Sequence, residues 1–236
     1  MTRIVFLDRE TIGPHIALPR PRFAHDWVEH SRTAPAETAR RLAGAEIAIT
    51  NKVRIGAAEL DAAPGLRLVA VAATGTDCID VDACTARGVA VANIRAYSVN
   101  TVPEHVFALL LALRRSLLPH AAAVRDGGWQ RAGQFCVFAG PIRDLSGATM
   151  GIVGKGGIGS KVAALASAFG MRVIFAARPG EPAHGDRVPF DTFCAEADVI
   201  SLHCPLTPET RGLFGAEAFA AMRRAPILLN TARGAL

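Results

Sequence analysis

Short runs rich in valine, isoleucine and leucine recur along the chain between stretches with helical spacing, and this alternation restricts the fold to βαβ units built around parallel sheets. Runs at 4–7, 46–49, 66–72 and 89–92 read as strands, with short helices or turns at 35–42, 56–62 and 81–86. Residues 1–98 are thereby expected to form one small parallel-sheet domain of flavodoxin-like size. A single long helix is expected over 102–125, with Pro103 near its first turn and Val106, Leu109, Leu110 and Leu113 repeating at three and four on a packed face. Residues 126–145 have no clean period and read as a connector pinned to a surface by Trp129, Phe135 and Phe138. Strands at 149–153, 171–176, 199–202 and 227–229, with a helix over 158–169, make residues 99–236 a second parallel-sheet domain. The fold class is therefore α/β, with two parallel-sheet domains.

Composition narrows the function. Half of the 236 residues are apolar, enough for ordinary cores, which excludes a disordered chain or a small disulfide scaffold. Aromatic residues make up only 6%, and the 26 Lys+Arg against 21 Asp+Glu are dispersed, so neither a base-stacking platform nor an anionic membrane surface is expected as a partner. Cys78, Cys84, Cys136, Cys194 and Cys204 are odd in number and lack a CxxC spacing; free thiols in a reducing compartment are expected, with no metal site. The start MTRIVFLDRE carries acidic residues where a secretory apolar region should continue. The apolar stretch 106–113 stops at Arg114 and Arg115, short of the roughly 20 residues that span a bilayer. A soluble, cytoplasmic protein is the expectation.

The sharpest local signal is Gly154-Lys155-Gly156-Gly157-Ile158-Gly159, placed between a strand and a helix. In that context a GxGxxG loop belongs to a Rossmann dinucleotide-binding domain. Gly154 permits the sharp turn, Gly156 admits a pyrophosphate against the backbone, and Gly159 lets helix and strand approach. The amides at the helix start, including those of Gly157 and Ile158, face the diphosphate. The next strand ends Ala176-Ala177-Arg178-Pro179-Gly180 with no acidic side chain for the ribose hydroxyls; the first carboxylate beyond is Glu181. Ala177 does not repel a 2′-phosphate and Arg178 offers it planar donors, so the cofactor is NAD or NADP, with NADP accepted. Arg178 in solvent, with Glu181 or a backbone group serving the ribose, is the alternative.

Open parallel sheets bind ligands past the carboxyl ends of their strands, which points to three further segments. Arg233 follows the run ILLN and is suited to clamp a carboxylate and polarise an adjacent carbonyl as the catalytic cation. The stretch from Ala72 to Asp80 is a loop of small residues, Ala73, Thr74 and Gly75 among them, whose exposed amides can hold a substrate carboxylate. Asp77 and Asp80 in the same stretch read as turn and helix caps. His203 and Pro205 flank the cofactor, and a general-base role for His203 is disfavoured because it faces cofactor and not substrate.

Taken together these stretches resemble the D-isomer-specific 2-hydroxyacid dehydrogenase family, most closely its glycerate dehydrogenase and hydroxypyruvate/glyoxylate reductase branch. The resemblance is carried by TNKVRI from Thr50, AATGTDCIDVDACTARGVAVANIRAYS from Ala72, VPEH from Val102, LSGATMGIVGKGGIG from Leu145, ADVISLHCPLTPETRGLF from Ala197 and NTARGAL from Asn230. It implies a substrate domain over 1–98, a cofactor domain over 99–236, and a dimeric oxidoreductase acting on a small 2-oxo or D-2-hydroxy acid. It also implies that Val102, Thr231 and Ala232 lie beside the nicotinamide. The family pattern continues past the arginine into a glutamate and a histidine that exchange the proton. The sequence stops at Leu236, so the expectation is a longer protein whose cofactor domain continues, the alternative being a product that ends there and has lost the proton-transfer residues; at this length little turnover and an uncovered sheet edge are expected. Glu217 precedes Arg233 and does not take the glutamate's place. A phosphonate- or formate-dehydrogenase-like member, and a dinucleotide-sensing corepressor without turnover, are the competing functions.

Overall fold

Parallel pairing throughout is the outcome of the alternating pattern. The computed structural model describes residues 1–178 and 182–236, in two compact units, Met1–Tyr97 and Ser98–Leu236. The residues 179–181, including the Glu181 weighed as a ribose ligand, lie outside the described residues.

The first unit runs β1 (Thr2–Phe6), β2 (His25–Glu29), α1 (Pro35–Leu42), β3 (Ile47–Thr50), α2 (Ala57–Asp61), β4 (Leu68–Val71), α3 (Val81–Ala86) and β5 (Ala90–Asn93). All its ladders are parallel, in the order β2-β1-β3-β4-β5, which is the flavodoxin-like arrangement expected. Val5, Leu7, Leu42, Ala48, Leu60, Val69 and Val71 form the core, each large side chain worth about 1.5–3 kcal/mol on burial. Strand β2 is missed by the sequence reading because HDWVE at this sheet edge is nowhere fully buried and shows no apolar run. Asp80 caps α3 as expected, its Oδ1 accepting the Ala83 N–H at 2.9 Å.

The second unit runs α4 (Thr101–Arg114), α5 (Leu117–Arg125), α6 (Gly128–Arg131), β6 (Thr149–Val153), α7 (Gly157–Ala168), β7 (Arg172–Ala176), β8 (Arg187–Val188), α8 (Phe190–Glu196), β9 (Val199–Leu202), α9 (Ala216–Ala221) and β10 (Ile227–Asn230). Its parallel sheet has the order β10-β9-β6-β7-β8, matching five strands of the Rossmann arrangement. Every residue of β6 and β9 is buried, as both faces of a central parallel strand should be. One face packs Met150, Ile152 and Leu229 against Val106, Leu110, Val162 and Ala166, and the other packs Val153, Ile174 and Ile200 against Phe193 and Ala218.

Three expectations fail here. The single helix over 102–125 is two, bent by 61° at Arg115 and the left-handed Ser116. Pro119 explains the break: it has no N–H to donate and its ring clashes with the carbonyl four residues back, at Arg115. The packed face of α4 is Pro103, Val106, Phe107, Leu110 and Arg114, whereas Leu109 and Leu113 are exposed. Phe135 and Phe138 are not pinned to this chain's surface; they are 90% and 82% exposed, and Trp129 is also exposed. The second sheet also carries a fifth strand, β8, whose two residues are too few to leave a pattern. No single helix among the described residues is long and apolar enough to cross a membrane.

Candidate functional site

Strand register puts the candidate segments of the second unit on one rim. Val153 at the end of β6 pairs with Leu202 of β9, and Leu202 pairs with Asn230 of β10. On the other side Ile152 pairs with Phe175, which brings the end of β7 to the same level. The glycine loop, Ala177, His203 and Thr231 each begin one residue beyond the ends of these strands. Four segments distant in sequence therefore open onto the carboxyl edge of one sheet, where open α/β sheets bind ligands.

Each glycine of the loop meets a distinct demand. Gly154 has φ +98, and a Cβ there would lie 2.6 Å from the His203 carbonyl oxygen. At Gly159 a Cβ would lie 1.9 Å from the Gly154 carbonyl oxygen, so α7 packs directly on the turn that precedes it. Around Gly156, by contrast, a Cβ would meet nothing within 4 Å. The loop is thus locked on its protein side and open on its outer side, beneath the amides of the first turn of α7, which lack partners within their own helix. Val99 approaches Gly157, and Val102 packs with Ile158 around the core under α4 and α7.

A cleft of about 580 Å³ extends from this loop across the end of β7 to the segment after β9. It is lined by Gly154, Lys155, Gly156, Ala177, Arg178, Arg187, His203, Pro205, Thr207, Glu209 and Thr210, among others. Arg178 is exposed and Ala177 buried. Lys155 pairs with Asp186 at 2.6 Å, which holds the aspartate below the usual carboxylate range. Thr210 braces the far wall, its hydroxyl donating to the Pro205 carbonyl at 2.8 Å and accepting the Thr207 N–H at 2.8 Å. Lys155, Arg187, Thr207, Glu209 and Thr210 were not singled out by the sequence. Lys155 lies inside the glycine loop, and Thr207, Glu209 and Thr210 lie inside the stretch that starts at Ala197; Arg187 reaches the cleft through pairing that no local pattern encodes.

His203 donates its backbone N–H to the Val153 carbonyl at 2.8 Å, and its Nε2 lies 2.8 Å from the Oγ of fully buried Ser201. Burial pushes the imidazole down to about 4, so it is neutral near pH 7 and a poor proton-transfer group there. It forms a wall of the cleft, which agrees with the disfavoured general-base role.

Past β10, Asn230 shapes a tight turn: its Oδ1 accepts the Ala232 N–H at 3.0 Å and its Nδ2 donates to the Arg233 carbonyl at 2.9 Å. Arg233 is half-buried and donates from Nη1 to the Ala232 carbonyl at 3.1 Å. The Thr231 Oγ1 beside it is buried with no hydrogen-bond partner among the described residues. An orphaned buried hydroxyl costs about 1–3 kcal/mol unless a ligand satisfies it. With the open outer side of Gly156, it makes this rim fit a polar, phosphate-bearing cofactor.

In the first unit, Ala73–Gly75 follow β4 and are braced against the end of β5. Thr74 donates from Oγ1 to the Ile94 carbonyl at 2.9 Å, and its own carbonyl accepts from Asn93 Nδ2 at 2.7 Å. A neighbouring loop depends on Asp8, only 4% exposed, whose carboxylate accepts the N–H groups of Asn51 at 2.9 Å and Lys52 at 2.7 Å. All five cysteines are unpaired, and no cluster of three or more metal-ligating side chains occurs among the described residues.

Comparison with known proteins agrees with this geometry. Residues 107–236 match the family described as D-isomer specific 2-hydroxyacid dehydrogenase, NAD binding domain. The chain is 47% identical over 235 residues to a glycerate dehydrogenase of Methylorubrum extorquens, covering 99% of this chain and 73% of that protein. Its structure is similar to that of a protein from Thermus thermophilus, with TM-score 0.82 and 35% identity over 99% of this chain and 75% of the other. It is also similar to a D-lactate dehydrogenase from Aquifex aeolicus solved with NAD and lactic acid, with TM-score 0.74 and 27% identity over 98% and 69% of the two chains.

Proposed function

Because this chain belongs to the D-isomer specific 2-hydroxyacid dehydrogenase family, we propose that it acts as an oxidoreductase transferring a hydride between NAD(P)H and a small 2-oxo or D-2-hydroxy acid of the glycerate, hydroxypyruvate or glyoxylate type. The observation that carries this reading is the single rim formed by the glycine loop, His203 and Thr231–Arg233, with the Thr231 hydroxyl buried beside it without a partner among the described residues.

In this reading residues 1–98 form the substrate domain and 99–236 the cofactor domain. The amides around Gly154, Gly156, Gly157, Ile158 and Gly159 bind the pyrophosphate, favoured by the positive end of the α7 dipole. Val102, His203, Pro205, Thr231 and Ala232 flank the cofactor, and the Thr231 hydroxyl gains a partner there. Arg178 lies by the adenosine ribose; with neutral Ala177 beside it, NADP is accepted. When bound, the nicotinamide supplies or takes up the hydride. Ala73, Thr74 and Gly75 hold the substrate carboxylate through backbone amides. Arg233 donates to the substrate's 2-oxygen and stabilises the negative charge that develops on it, an interaction stronger in the transition state than in the ground state.

The exposed apolar side chains of α4, α5 and the following segment support a homodimer, and the unpaired thiols support a cytoplasmic setting. The test uses the full-length protein with hydroxypyruvate and glyoxylate, following oxidation of NADH and NADPH. Turnover that falls about 10²–10³-fold in Arg233→Gln at unchanged Tm supports the assignment. No turnover on any small 2-oxo acid, with cofactor binding intact, sinks it.

A further inference from the structure

Strand β9 is buried at every residue, and Ser201 is the one polar side chain in it. A buried hydroxyl in a central strand destabilises the fold unless it has a hydrogen-bond partner. We propose that Ser201 is a positioning residue: its hydroxyl donates to His203 Nε2 and so keeps the ring proton on Nδ1, from which the ring donates to an oxygen on the phosphate–ribose backbone of the bound dinucleotide. This rests on the dinucleotide reading above and adds to it a residue buried behind the cleft wall.

Side chains two apart on a strand share a face, and the ladder to β6 continues one step past β9, where the His203 N–H donates to the Val153 carbonyl at 2.8 Å. Ser201 Oγ and His203 Nε2 thereby meet at 2.8 Å, and the hydroxyl has no second partner among the described residues. Satisfaction of both groups decides the direction of the bond. Burial holds the imidazole at about 4, so near neutral pH one of its nitrogens donates and the other accepts. With the proton on Nε2, the serine would accept it and its own O–H would be left buried without an acceptor. With Nε2 as acceptor the O–H is used, and the ring proton stands on Nδ1.

Nδ1 itself has no hydrogen-bond partner among the described residues and, unlike the Thr231 Oγ1, is not closed off from solvent. The half-buried His203 lines the cleft, and its carbonyl oxygen lies 2.6 Å from where a Cβ on Gly154 would stand, which anchors the residue beside the glycine loop. An N–H in that wall is complementary to phosphate and ribose oxygens, whereas a lone pair in the same place would repel them. Ser201 decides which of the two the cofactor meets.

The test follows the ring nitrogens of His203 by NMR in the full-length protein, carrying isotope-labelled histidine, free and with NADH, and measures the Kd for NADH by calorimetry. A protonated Nδ1 whose resonance shifts when NADH binds is expected. In Ser201→Ala the ring loses its fixed tautomer and the Kd should rise about three- to tenfold, the worth of one neutral hydrogen bond. Ser201→Thr keeps the hydroxyl and should restore both the Nδ1 proton and most of the affinity. A proton on Nε2 in the unmodified protein overturns the proposal, as does an Nδ1 resonance that bound NADH leaves in place. A fall in Tm in Ser201→Ala with tautomer and affinity retained also overturns it, because Ser201 would then be structural alone. Failure of the unmodified protein to bind NADH or NADPH removes the dinucleotide reading itself.

Discussion

The Gly154 carbonyl oxygen occupies the space beside Gly159, 1.9 Å from where a Cβ would stand. The oxygen is backbone and a Cβ is fixed by the backbone it sits on, so neither can rotate away, and Gly159→Ala forces the start of α7 off the turn. A loss of about 3 kcal/mol or more is expected in urea denaturation. Gly156→Ala is the contrasting case. Its Cβ meets nothing within 4 Å, so stability should change by less than about 1 kcal/mol while dinucleotide affinity drops at least about tenfold. Equal effects of the two substitutions on stability would contradict this division of labour.

Acid should destabilise the second unit through His203. Burial lowers its imidazole from 6.5 to about 4, so between those values the unfolded chain binds a proton that the folded chain does not. Stability from this group is complete above the unfolded value, declines as pH falls through the window, and declines no further below about 4. The whole effect is at most about 3 kcal/mol. Comparing denaturation near neutral pH and in mild acid should show a smaller acid loss in His203→Gln, whose amide can still meet Ser201.

Asp8 supports the loop that follows β3 with its carboxylate alone, accepting from Asn51 and Lys52. Asp8→Ala leaves those part-buried amides without acceptors, and a loss of about 1–3 kcal/mol follows. Hydrogen exchange should quicken first at Asn51 and Lys52. Protection that stays at the wild-type level would mean the loop has another anchor.

Leu118 at 75% exposure, with Phe135 and Phe138, presents apolar surface that costs solubility unless something covers it. In the homodimer proposed above a second copy covers it. Sedimentation of the full-length protein should show a dimer, and Leu118→Lys combined with Phe138→Lys should weaken it by at least about tenfold. A monomeric unmodified protein at the same concentrations rules this out.

Local pattern along the chain was sufficient for the α/β class, for most of the strands and for much of the candidate site. A central strand such as β6 is buried on both faces and therefore must be written as an unbroken apolar run. Gly154, His203 and Thr231 were legible because each directly follows such a run, and ligands gather where parallel strands end. Pro119 was a visible break signal in a pattern whose apolar spacing continued through it.

What remained hidden depends on partners remote in sequence. Strands β2 and β8 lie at sheet edges, one without a fully buried residue and the other two residues long, so neither leaves a periodic trace. Arg187 reaches Ala176, Asp186 reaches Lys155, and Asp8 reaches Lys52 only because crossover connections set a particular register. Periodicity reports which side of an element meets water. The identity of the neighbour across a parallel ladder is decided when the sheet closes, and in this protein that closure sets which charged side chains line the cleft at the end of β7.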